Sequence, residues 1–69
     1  HEALAVFLHG LKTTPDDANL LSGAAVAYDS MGEHKKAQAL HRQSINAASG
    51  TLRTGFMSNL AMSYLLDNQ

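Results

Sequence analysis

No cysteine occurs in the sequence, so neither a disulfide framework nor a thiolate metal site is open to it. That absence suits an oxidising or a reducing compartment equally. A large excess of either charge sign is also missing. The net charge is −1, which leaves no basic field to hold nucleic acid or an anionic membrane surface. No apolar run approaches the roughly 18–20 residues of a membrane span, and no signal-peptide pattern is present. Helical patterning is already under way at His1, so the sequence reads as a segment of a longer protein. What remains is a composition, 45% hydrophobic and 16% charged, that favours a folded unit over disorder. At 69 residues a lone core is only marginally stable.

The organising stretch is Leu20 to Ile45, a helix of small residues, a tight turn at Gly32 and a second helix centred on Ala37. Upstream, Ala3, Leu4, Phe7, Leu8 and Leu11 recur at helical spacing over residues 2–13. Pro15 ends that helix, because the residue before a proline avoids helical backbone. Asp16 or Asp17 then caps the next helix, expected over 18–31. Gly23 inside it costs about 1 kcal/mol against alanine, so a close approach of another helix is expected there. Gly32 stands where a left-handed C-terminal cap belongs. A third helix is expected over 33–48, with Ala37, Leu40, His41, Ser44 and Ile45 on its inner face and Gln38 pointing away. The run Ser49-Gly50-Thr51 breaks it, and a fourth helix follows over 52–67 with Phe56, Met57, Leu60, Ala61, Tyr64 and Leu65 as its apolar positions. The fold class expected is all-α.

Catalytic chemistry finds no foothold. His34 and His41 lie seven apart, not the three or four that sets two ligands side by side on a helix, and His1 and His9 lack a carboxylate at ligand spacing. Packing or surface histidines are therefore expected, with no metal and no cofactor. Asp16 and Asp17 read as a helix start. The serines at 22, 30, 44, 58 and 63 lie in helices without a nucleophile elbow, and no glycine-rich phosphate loop is present. The expectation is a protein that is not an enzyme.

The two halves of the chain repeat one another. Ala3 and Ala37, Phe7 and His41, and Leu11 and Ile45 are each 34 apart, while Leu21 and Met57, Ala25 and Ala61, and Tyr28 and Tyr64 are 36 apart. A period of 34 with helix–turn–helix content is the tetratricopeptide period. The chain resembles tetratricopeptide repeats on two motifs. One is Leu21-x₂-Ala24-Ala25-x₂-Tyr28 with its copy Met57-x₂-Leu60-Ala61-x₂-Tyr64; the other is Ala3-x₃-Phe7 with Pro15 beyond, echoed by Ala37-x₃-His41 and Ser49. The implied architecture is an α-solenoid segment of four helices in the order B-A-B-A. In it, residues 1–14 are the second helix of a preceding repeat, 18–49 a complete repeat and 52–67 the first helix of a following one.

A closer resemblance is carried by Gly23, Ala25, Asp29, Gly32, Ala37, Gln38 and Arg42, then Asn59, Leu60, Ala61, Ser63 and Tyr64. These positions are similar to those of the TadD family, tetratricopeptide lipoproteins of the tight-adherence (Flp pilus) assembly system. His41 stands where that family has tyrosine. The resemblance implies a protein–protein scaffold for a bacterial type IVb pilus, acting on the outer-membrane secretin or another assembly component. It also implies a periplasmic location, with the membrane reached only through a lipid anchor outside this segment. Two alternatives stay open: a cytoplasmic regulatory or sensor domain that binds a peptide, and a repeat appendage on an enzyme.

In solenoids of this kind the first helices line a concave face that binds extended segments. The candidate binding residues are Asn19, Ser22, Val26 and Asp29 on the second helix, with Ser58, Asn59, Met62 and Leu65 on the fourth. Met62 and Leu65 read equally well as contacts for a following helix. Ser22, Val26 and Ser58 lie where a lysine-rich peptide clamp would need basic and amide groups, so capture of an acidic C-terminal peptide is disfavoured.

Overall fold

A computed structural model describes residues 2–68. Four helices account for nearly all of them: α1 (Glu2–Thr13), α2 (Ala18–Ser30), α3 (His34–Ala47) and α4 (Gly50–Asp67). No strand occurs among the described residues, and the all-α class is what the structure has.

Each helix end has a local cause. Beyond Pro15, Asp17 takes an extended backbone, and its Oδ1 accepts the amide hydrogens of Asn19 at 3.0 Å and Leu20 at 3.1 Å. Two of the four amides that a helix start leaves without partners are satisfied there. At the other end of α2, Gly32 has φ +79. That conformation lets the amides of Gly32 and Glu33 reach back to the carbonyls of Asp29 at 3.0 Å and Tyr28 at 2.9 Å. The last turn differs from the sequence expectation in one place: α4 starts at Gly50, two residues before Leu52. Ala48 and Ser49 are extended, and Gly50, at φ +63, turns the chain directly into the helix.

Helices neighbouring in sequence pack on one another, and α2 also touches α4. The result is a slab with extents of 34 × 30 × 13 Å. A slab this thin buries little, so close backbone approach has to supply the packing. Ala24, Ala25 and Ala37 are completely buried. Phe7 of α1 rides directly over Gly23, where a Cβ would lie 2.4 Å from the ring carbon Cε1. That contact is the reason a glycine interrupts α2. Around it Leu4, Ala24 and Ala27 form a small core, with Phe7, Leu11, Tyr28 and Leu40 packed against it.

Several inner-face expectations need correcting. Gln38 is buried, not outward, because its amide donates to Asp67 Oδ2 of α4 at 3.1 Å. Ala3 and Leu8 are exposed, since α1 has a neighbour on one side only and Leu4 takes the buried position. In α4 the buried residues are Phe56 and Ser63, while Met57, Ala61, Tyr64 and Leu65 face solvent. An apolar stripe wider than one contact has been laid against a single helix layer.

Candidate binding face and the polar knot beneath it

The side chains that join α2 to α4 define the site. Asn59 Nδ2 donates to Ser22 Oγ at 3.2 Å, and one to two turns further along both helices Ser63 Oγ donates to Asp29 Oδ1 at 2.7 Å. Both contacts advance in the same sense along the chain, so α2 and α4 run in the same direction with a seam between them. Val26 lies between Ser22 and Asp29 on α2, and Met62 between Asn59 and Ser63 on the facing helix. Both are more than half exposed, at 52% and 56%. Asn19 is exposed at the start of α2 and Ser58 midway along α4, and Leu65 is 61% exposed toward the end of α4.

The eight candidate residues therefore divide. Asn19, Val26, Ser58, Met62 and Leu65 present side chains to solvent, and Asn59 is half-buried in the seam. Ser22 and Asp29 are turned inward and are not part of the open face. The physical reason is that each is a bonding partner of α4 itself, so its polar atoms are committed within the fold.

Asp29 is the centre of a polar knot. Besides Ser63, its Oδ1 meets His34 Nδ1 at 2.7 Å and its Oδ2 meets His41 Nε2 at 3.1 Å. Seven residues separate the two histidines, two turns of α3 or roughly 10 Å, which is too far for adjacent ligands of one ion. The span is closed by the carboxylate, one oxygen to each ring, with His34 using its near nitrogen and His41 its far one. No group of three or more His, Cys, Asp or Glu residues among those described is arranged to hold a metal ion.

Burial of Asp29 works to raise its carboxyl pKa. Hydrogen bonds from His34, Ser63 and His41, with the charge of His41, outweigh that and hold it below the ordinary carboxylate value. His41 is wholly buried, and a carboxylate facing Nε2 assigns the hydrogen to that nitrogen. Its Nδ1 is buried with no partner. The knot holds a serine, a histidine and an aspartate, but they are not wired for nucleophilic catalysis. The Ser63 hydroxyl gives its hydrogen to Asp29, not to His41, and Ser63 is fully buried.

Around the knot lie weaker contacts. Asp67 accepts from Lys35 at 2.7 Å as well as from Gln38, and these two hold its carboxyl below the ordinary value. Lys35 is 83% exposed, so the ion pair contributes little. The Arg42 guanidinium lies 5.7 Å from the Tyr64 ring centroid and donates to its hydroxyl.

The faces that α1 and α3 turn to α2 are built on equivalent positions with opposite chemistry. Leu4, Phe7 and Leu11 of α1 correspond at 34 residues to Gln38, His41 and Ile45 of α3. The first contact is an aromatic ring over a glycine, and the second is an imidazole bonded to a carboxylate. Sequence reasoning missed the knot. The signal was an imidazole at an inner-face position of α3, which calls for a buried acceptor nearby.

No family model, curated protein or solved structure matches this chain.

Proposed function

We propose that the chain is a tetratricopeptide-type segment acting as a non-enzymatic scaffold for another protein. The system it serves is then the tight-adherence pilus, as in the TadD lipoproteins it resembles. Its partner there is the outer-membrane secretin, reached from the periplasmic side with a lipid anchor carried outside these residues. The observation that supports the binding role is the exposed row flanking the α2–α4 seam, Val26 and Met62 with Leu65 beyond. Large apolar side chains lie in the open there while Ser22, Asn59, Asp29 and Ser63 along the seam are bonded to one another across it. An extended segment laid along that row would cover apolar surface at little polar cost. No helix among the described residues is long and apolar enough to cross a membrane.

Capture of the purified secretin subunit by the immobilised intact protein tests this reading. Retention above a control resin is expected. A folded protein that retains no secretin would overturn the pilus assignment and leave a cytoplasmic peptide-binding sensor as the better account.

A further inference from the structure

We propose that the cleft between the start of α2 and the end of α3 holds a lysine side chain of another protein. Asp16, Leu21, Gln43, Asn46 and Ala47 line it, and its volume is about 480 Å³. That size falls in the range of small-ligand sites. All five residues belong to the α2–α3 hairpin or to the turn that leads into it. Leu21, only 3% exposed, forms the base, and the other four reach solvent at the rim. An apolar base under a polar rim fits an aliphatic stem that ends in a polar group.

The rim sets the charge and the shape of that group. The Asp16 carboxylate has no hydrogen bond or ion pair among the described residues, Lys12 included, whereas neighbouring Asp17 is committed to capping α2. The side-chain amides of Gln43 and Asn46 have no partner among those residues either. Beside them α3 ends without a basic residue in its last turn, and the Asn46 and Ala47 carbonyls accept no backbone amide among the described residues. A helix end of this kind carries partial negative charge. The positive end of α2 is offset, because Asp17 takes its amides at Asn19 and Leu20. The cleft therefore favours a cation. Three separate acceptors, one carboxylate and two amide oxygens, match the three diverging hydrogens of an ammonium better than the planar fork of a guanidinium. Leu21 and Val26 lie on different sides of α2, about 140° apart at helical spacing. The cleft is thus separate from the α2–α4 row and does not depend on the pilus partner.

Amide NMR spectra of the intact protein, titrated with Nα-acetyl-lysine N-methylamide, are the test. Saturable shifts are expected at the amides of Leu21, Gln43, Asn46 and Ala47, with the millimolar affinity of a single side chain. The norleucine analogue keeps the stem without the ammonium, and the Nε-acetylated analogue removes the charge; neither is expected to bind. Asp16→Asn is expected to weaken the lysine probe by about fivefold, near the upper end for an exposed ion pair. Asp17→Asn removes the adjacent charge but keeps a capping side chain, and Val26→Arg alters the α2–α4 row. Both are expected to bind the probe like the parent, and well-dispersed spectra check that every variant is folded. Absence of saturable shifts at the cleft would overturn the proposal, as would binding that Asp16→Asn leaves unchanged. Equal binding of the norleucine analogue would overturn the assignment of a cation, and tighter binding of the arginine analogue that of an ammonium.

Discussion

Asp29→Asn is expected to lower the stability at neutral pH by about 3 kcal/mol, since hydrogen bonds to a charged group contribute roughly 1.5–3 kcal/mol each. Three donors converge on this carboxylate from two helices, and its side chain is only 10% exposed. An amide keeps one acceptor oxygen and turns an NH₂ toward a donor, so at least one contact becomes repulsive. For a domain this small each 1 kcal/mol moves the melting midpoint by about 4–8 °C, so a fall of more than ten degrees is expected. The dependence on acid has a definite sign. The folded-state pKa of Asp29 is depressed, so its stabilisation is complete above the unfolded carboxyl value near about 3.9 and fades as pH falls through the folded one. Melts from pH 7 to pH 2 should therefore show the gap between parent and variant narrowing at the acid end. A gap of constant size would mean that the carboxylate is not what holds α3 and α4 to α2.

Ala37→Leu is expected to cost roughly 1–3 kcal/mol through overpacking. Ala37 has no exposed surface, nor do Ala24 and Ala25 on the helix it packs against, so there is no free volume for three extra carbons. Ala39, on the same helix, faces solvent. Ala39→Leu should leave stability within about 0.5 kcal/mol and serves as the matched control. Denaturant unfolding of the two variants separates the effects; equal midpoints would contradict the close approach of α2 and α3.

What could be read from the sequence was what is local. The helix cap at Asp17, the left-handed glycine at 32 and the four helical stretches each depend on a few consecutive residues, and all are present. Gly23 also announced itself, since a glycine inside a helix costs stability unless something approaches it, and Phe7 does. The knot was not legible for the opposite reason. Its four members span residues 29–63. By helical periodicity alone Asp29 falls in line with Ser22 and Val26, as a surface residue would. Only the presence of α4 alongside decides that Ser22 and Asp29 turn inward while Val26 stays out. Gln38 was misread likewise, because a glutamine on a lysine-rich helix looks solvated until an aspartate from another helix is placed beside it. The exposed half of α4 has the same origin: periodicity counts apolar positions but not the neighbours available to cover them.

The proposed function divides labour between an open row that binds and a knot beneath it that holds the helices together. Titrating the secretin subunit against the parent, Val26→Arg, Met62→Glu and the outer-face variants Lys36→Glu and Gln43→Glu, with a melting curve for each, tests that division directly. Val26 and Met62 are more than half exposed, so their replacement should barely move the midpoint while weakening binding at least about tenfold. The outer-face changes should alter neither quantity. Loss of binding in the outer-face variants, with Val26→Arg and Met62→Glu still binding like the parent, would contradict the assignment of the α2–α4 face.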